Sequence, residues 1–204
     1  MLAGHHDSAV LPGYNVSDMR ILILSCSLNP DSRSARLAVH ASRAISAVDR
    51  AIDVLTVDLR DLDLPMCDGA SAYEHPAVGA LAKQIKSADA VLLAVPIYNY
   101  DVNAAAKNAI ELTGPAWTDK TIGLLCAAGG HGSYMSAMSL ANSMMLDFRC
   151  LVVPRFVYAA GDTAGEDPID PAIATRIDEL AGDMVRLARA LSDQLSPRTS
   201  KPLL

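Results

Sequence analysis

Five short apolar runs recur along the chain, and longer segments with helical spacing separate them. A run of four to eight apolar residues between turn signals predicts a buried β-strand. The predicted strands cover residues 20–25, 52–59, 90–95, 121–127 and 150–153. The last is interrupted at Pro154 and resumes at residues 156–158.

The segments between these runs predict helices. Pro76 suits a first helical turn, and Asn103 and Ser133 are suitable N-caps. Towards the C-terminus, apolar side chains from Ile173 to Leu191 alternate at spacings of four and three, which is typical of an amphipathic helix. The predicted helices cover residues 34–48, 76–87, 103–112, 133–148 and 173–191.

Strands that alternate with helices predict an α/β fold with a doubly wound parallel sheet and helices on both faces. The runs that begin at residues 20, 90 and 121 are the most apolar and belong in the centre, whereas the run at 52 suits an edge. We therefore expect five strands in the order 2-1-3-4-5. The direction in which the strands are added to the sheet then reverses between the first and third strands, which is the topological switch point. A single domain is expected over residues 19–194, with tails at 1–18 and 195–204.

Three short segments, each directly after a predicted strand, carry the candidate chemistry. They are residues 27–34, 96–100 and 128–133. Because parallel strands end at the same edge of a sheet, these loops are expected to converge. The candidate binding residues are Ser27, Ser32, Arg33, Ser34, Pro96, Ile97, Tyr98, Asn99, Tyr100, Gly129, Gly130, His131 and Gly132.

Each loop suits a different part of a ligand. The hydroxyls and Arg33 of the first loop fit an oxyanion at a helix N-terminus, although such serines also serve as ordinary caps. Tyr98 and Tyr100 offer aromatic surface beside backbone amides, or are half-buried side chains of a turn. The glycines of the third loop permit close backbone approach, and His131 lies beside the ligand or faces water. Together these features favour a phosphorylated, ring-bearing cofactor, of which flavin mononucleotide (FMN) is the simplest.

Composition narrows the function classes further. The 204 residues suit one ordinary domain, and the apolar runs are all shorter than a membrane span needs. A net charge of −6 argues against nonspecific nucleic-acid binding. The N-terminus lacks the pattern of a secretory signal, and a chain of this length needs no disulfide framework, so a cytoplasmic location is expected. The four cysteines form no CxxC pair, so no bound metal is expected.

Several segments together resemble one known family. They are the spacing Ser27-x4-Ser32-x-Ser34, the octapeptide at residues 58–65 (DLRDLDLP), the PIYN and AKNAI segments at 96–99 and 106–110, and GGHG at 129–132. This pattern resembles the NAD(P)H-dependent FMN reductases over residues 20–190. Cys26 and Asn29 depart from it where glycine and arginine are commoner, as does the segment 103–105 where proline-glycine is usual.

The resemblance implies a flavodoxin-like fold, bound FMN, and NAD(P)H as co-substrate. The implied reaction passes hydride to the flavin and then to a flavin, quinone or similar acceptor. The flavin carries this chemistry, so no side chain of the chain is expected to be catalytic. The resemblance also points to a homodimer or homotetramer, as do the methionines and small apolar residues of the helices after the second and third loops.

Two other functions remain open from the sequence. Cys26 followed by Arg33-Ser34 superficially resembles the loop of low-molecular-weight tyrosine phosphatases, with Asp167 and Pro168 as a candidate acid segment. Six residues separate the cysteine and arginine, however, one more than that loop has. A non-enzymatic electron carrier of flavodoxin type is the second alternative.

Overall fold

A seven-stranded sheet with helices on both faces forms the centre of the protein. The computed structural model describes residues 19–161 and 169–195. Residues 1–18 and 196–204, where tails were expected, lie outside this range, as does the candidate phosphatase acid at 167–168. The strands are β1 (Arg20–Ser25), β2 (Asp53–Asp58), β3 (Ala90–Tyr98), β4 (Asp101–Val102), β5 (Thr121–Ala128), β6 (Leu151–Val152) and β7 (Val157–Ala160). The helices are α1 (Arg33–Val48), α2 (Pro76–Ser87), α3 (Ala104–Thr113), α4 (Ala137–Asp147) and α5 (Pro171–Leu195).

The sheet has the predicted order. Its path is β2-β1-β3-β5-β6, and these neighbours are parallel. β7 pairs with the later half of β5, so β6 and β7 are two parts of one edge strand, separated around Pro154. The count of seven strands therefore differs from the expected five in two ways: the edge strand is divided, and β4 forms a short antiparallel hairpin with β3.

Alternation along each central strand divides the core between the two faces. In β1, Ile21 and Ile23 pack with α1 and α5, whereas Leu22 and Leu24 pack with α2, α3 and α4. A methyl group at Gly123 of β5 would lie 3.0 Å from Met184 Sδ of α5, so α5 packs closely against this strand. Among the described residues, no helix has both the length and the hydropathy that crossing a bilayer requires.

One predicted helix was wrong at its start. Residues 131–136 form a 3-10 segment with a kink at Ser133 (φ −104°, ψ 27°), and α4 begins only at Ala137. The reason is a tertiary contact: the Tyr158 hydroxyl donates to the Gly130 carbonyl at 2.8 Å and lies 3.0 Å from Ser133 Oγ. This contact holds the backbone away from a regular helix.

Candidate functional site

The segments that follow β1, β3 and β5 meet at the carboxyl edge of the sheet and line a cavity of about 620 Å³. This volume is ordinary for a small-molecule or cofactor pocket. Nine of the thirteen candidate binding residues line it: Ser27, Ser32, Arg33, Ser34, Pro96, Ile97, Tyr98, Asn99 and Gly129. Asn29, Asp31, Ala127 and Ala128 also line it and were not among the candidates, although three of them lie within the predicted loops and Ala127 directly precedes the third loop.

Buried hydroxyls form one end of the cavity. Ser32 caps α1, and its Oγ accepts a hydrogen bond from the Ala35 amide at 3.1 Å. The same oxygen lies 3.1 Å from Ser34 Oγ, and both side chains are buried. Because this contact uses only one of the two hydroxyl protons, the other remains available to a ligand.

Local hydrogen bonds shape the turn before α1. Ser27 Oγ accepts from the Asn29 amide at 3.2 Å, and Asn29 Oδ1 accepts from the Asp31 amide at 3.0 Å. Asn29 thus stabilises the turn, as asparagine commonly does. Asp31 also lines the cavity, and a carboxylate close to a bound anion is unfavourable.

Arg33 connects the segment after β1 to the end of β7. Its Nη1 donates to the Gly161 carbonyl, directly after β7, at 2.9 Å. A guanidinium has five N–H donors, so the remaining ones can face a ligand in the cavity that Arg33 lines. The sequence-based assignment of Arg33 to the anion end is therefore compatible with its position.

The second loop is the tip of the β3–β4 hairpin. Tyr98 pairs with Asp101, and the two residues between them, Asn99 and Tyr100, have φ values of 50° and 65°. Positive φ at both positions is typical of a tight hairpin turn and strains a bulky residue such as tyrosine. Tyr98 and Asn99 line the cavity, whereas the Tyr100 hydroxyl lies against Gly132, 3.3 Å from where a methyl group would stand.

The third loop contributes mainly through its first residue. Gly129 follows the small side chains of Ala127 and Ala128 and lines the cavity with them. Gly130, His131 and Gly132 are exposed and do not line it, and with Tyr100 they are the four candidates that the cavity does not include.

Asn103 joins the first loop to the second. Its Nδ2 donates to the Cys26 carbonyl at 2.6 Å, and its backbone amide donates to the Pro96 carbonyl at 3.1 Å. The side chain is buried, and its Oδ1 has no partner among the described residues. The sequence predicted only a helix cap here, but the side chain makes no capping hydrogen bond.

The structure argues against Cys26 as a nucleophile. The residue is fully buried in the core, and its thiol donates to the Leu24 carbonyl at 3.4 Å. Burial, and secondarily the nearby Asp58 carboxylate, raise the pKa of the Cys26 thiol far above its usual value. A nucleophilic cysteine needs the opposite, an accessible thiol with a lowered pKa.

The residues of the cavity fit FMN. Buried hydroxyls at the N-terminus of α1 provide donors for a phosphate, and the small residues Ala127, Ala128 and Gly129 at the end of β5 leave room for a flat ring. The sequence profile of the NADPH-dependent FMN reductases matches residues 19–164. The chain belongs to the NADPH-dependent FMN reductase family.

Individual relatives of this family agree with the match. An NAD(P)H-dependent FAD/FMN reductase of Geobacillus thermodenitrificans is 27% identical over 67% of this chain and 76% of its own length. A probable NADPH:quinone oxidoreductase of Oryza sativa is 27% identical over 90% of this chain and 94% of its own. The fold is shared with a solved Corynebacterium diphtheriae oxidoreductase, which has a TM-score of 0.71 at 20% identity and covers 84% of this chain and 97% of its own.

Membership of the FMN reductase family confirms the predicted activity class: the chain is an FMN-dependent NAD(P)H oxidoreductase with a flavodoxin-like fold. The phosphatase and the non-enzymatic carrier find no support among these relatives.

Proposed function

We propose that FMN binds in the cavity at the carboxyl edge of the sheet, with its phosphate at residues 27–34. The observation that carries this assignment is the set of buried hydroxyls, Ser27, Ser32 and Ser34, at the N-terminus of α1. The flavin ring then lies towards residues 96–99 and 127–129, where the lining includes Ile97, Tyr98 and two alanines. In this orientation the phosphate lies at the end of the cavity that has the most hydrogen-bond donors.

When bound, FMN supplies the redox chemistry by taking hydride from NAD(P)H and passing it to an acceptor. The chain binds and orients the cofactor, and no side chain is assigned a proton transfer. Tyr98 and Tyr100 are about half and two-thirds exposed at the rim of the site. Aromatic rings there favour a flat acceptor, and the relatives' names support a flavin or a quinone.

An absorbance titration and an oxidation assay test this function. We expect FMN to bind with a perturbed flavin spectrum and to bind more tightly than FAD, because the cavity has one anion end and the chain lacks a dinucleotide fingerprint. NADH and NADPH oxidation should then depend on FMN and accelerate with a quinone. Equal or tighter binding of FAD would contradict the proposed phosphate position, and FMN-independent oxidation would contradict the function.

We also propose that the protein is a homodimer or a homotetramer associated through α4. Four apolar side chains lie exposed on and just before this helix: Met135, Met138, Met145 and Leu146. The same helix also lines a groove of about 740 Å³ between α3 and α4, whose lining includes Ile110, Leu140 and Phe148. Such a patch is typical of an interface.

Light scattering at micromolar concentration measures this association. We expect a mass of two or four chains, and a smaller assembly for Met138→Glu/Leu146→Glu, because the added carboxylates would repel across the interface. Glu substitutions at the exposed positions Val39 and Val48 of α1, on the opposite face of the sheet, provide the control. A monomeric native chain would contradict the proposal.

We further propose one flavin-binding domain over residues 19–194, working in the cytoplasm. The packing of α5 against α1 and β5, which continues beyond the family match, supports the domain. The four cysteines are free thiols, as is usual in reducing compartments.

A further inference from the structure

The side chain of Arg60 connects β2 to the turn before α1. Asp58 is the last residue of β2, and Arg60 lies in the single 3-10 turn that follows. Both belong to the octapeptide at residues 58–65, to which the proposed function assigns no role.

Three hydrogen bonds to Asp58 fix the Arg60 guanidinium and its backbone. Nε donates to Asp58 Oδ1 at 3.0 Å, Nη2 donates to Oδ2 at 2.7 Å, and the Arg60 amide donates to Oδ1 at 2.9 Å. Burial works against the ionised Asp58 carboxyl, but these bonds outweigh it and hold its pKa below the usual value. A bidentate arginine–carboxylate contact fixes the orientation of the guanidinium and is also energetically favourable.

The remaining terminal nitrogen of Arg60 reaches the first loop. Nη1 donates to the Pro30 carbonyl at 3.1 Å and approaches the Asn29 carbonyl at 3.5 Å. These carbonyls belong to the turn that connects the Ser27 hydroxyl to the N-terminus of α1. Arg60 therefore holds the outer side of this turn, while Asn103 holds its beginning at Cys26.

The position of this turn decides which groups face the cavity. Ordering a free loop costs conformational entropy, and a loop that is already ordered avoids this cost on binding. Because Asn29 and Asp31 line the cavity beside Ser32, a displaced turn would move donors away from an anion and leave the Asp31 carboxylate near it.

We propose that Arg60, oriented by Asp58, is a positioning residue that holds the Asn29–Pro30 turn in the conformation that binds the FMN phosphate. The inference rests on the proposed function, because it assumes that the phosphate lies at residues 27–34. The proposal differs from a purely structural role because it predicts an effect on the preference for FMN over riboflavin. Loss of the Arg60 contacts affects the phosphate-bearing flavin and spares riboflavin, which has the same ring and no phosphate.

The test compares Arg60→Met with a matched control. Arg20→Met removes another arginine–aspartate pair, Arg20 Nε to Asp53 Oδ2 at 2.7 Å, at the opposite end of the same two strands. Dissociation constants for FMN and riboflavin are measured by quenching of flavin fluorescence on the flavin-free full chain. Thermal unfolding of both variants reports any general loss of stability.

We expect Arg60→Met to weaken FMN binding about tenfold or more, the effect of one charge-assisted hydrogen bond, with riboflavin binding nearly unchanged. Arg20→Met should leave both constants near wild type. Arg60→Lys keeps the positive charge but lacks the planar guanidinium, so its affinity for FMN relative to riboflavin should fall almost as far. This variant also provides the test if Arg60→Met does not fold.

Three results would overturn the proposal: wild-type FMN affinity in Arg60→Met, an equal loss of FMN and riboflavin binding, or full selectivity in Arg60→Lys. The wild-type titration separates this failure from that of the proposed function. A wild-type chain that prefers FMN to riboflavin supports the phosphate position whatever Arg60 does, whereas a chain without that preference overturns both.

Discussion

Replacing Ser32 and Ser34 together by alanine should weaken FMN binding by about ten- to a hundredfold, because a hydrogen bond to a charged group contributes roughly 1.5–3 kcal/mol. Riboflavin binding should change little, since the lost hydroxyls face the phosphate in the proposed orientation. The two side chains are buried, 3.1 Å apart, at the N-terminus of α1. Parallel titrations with the two flavins measure the difference directly.

The controls address the second role of Ser32. It caps α1, so its loss alone should cost about 1 kcal/mol of folding stability. Ser34→Ala keeps the cap, and Ser46→Ala removes another serine of α1, one that bonds the Ser42 carbonyl away from the cavity. Cys26→Ser should leave flavin binding nearly unchanged. If the double variant loses riboflavin as severely as FMN, the serines do not bind the phosphate.

Asn103→Ala should lower the free energy of unfolding by about 1–3 kcal/mol, because it leaves the buried Cys26 carbonyl without its side-chain donor. FMN affinity should fall as well, since this side chain holds the first loop against the second. Urea unfolding and a flavin titration give the two quantities. Asn142→Ala, at an exposed position of α4, is the matched control. Wild-type stability together with wild-type affinity would show that the bond contributes nothing to the site.

Much of the fold could be predicted because the central strands are so uniformly apolar. The runs that became β1, β3 and β5 are buried on both faces, and their contrast with the half-exposed β2 predicted the strand order. The limits of α2 agree with the prediction at both ends, since Pro76 marks the first turn. These features depend on residues that are close together in the sequence.

The errors arise where distant residues determine local structure. Nothing near Ser133 indicates that Tyr158 will bond to this segment, or that the Tyr134 ring will pack 5.0 Å from that of Phe156. The hairpin tip at Asn99 and Tyr100 lacks the glycine that usually marks such a turn. Its residues were therefore assigned to a loop.

The same distinction applies to the site. The serines of the first loop were predicted for the site because hydroxyls before a helix are a local signal, and all three line the cavity. Arg60 and Asn103 were not assigned to the site, because each acts on the first loop only after distant segments come together: Arg60 when β2 pairs with β1, and Asn103 when α3 is placed beside residue 26. Which residues hold a loop is therefore harder to predict from sequence than which residues form it.

The divided edge strand has a consequence for behaviour at high concentration. An uninterrupted outer strand presents a row of free amides and carbonyls on which a second chain can continue the sheet, a common first step of aggregation. Here Pro154, which has no amide hydrogen, separates β6 from β7, so two short pieces replace one long template. We therefore expect that, in concentrated solutions of the folded protein, this edge resists the growth of intermolecular sheets.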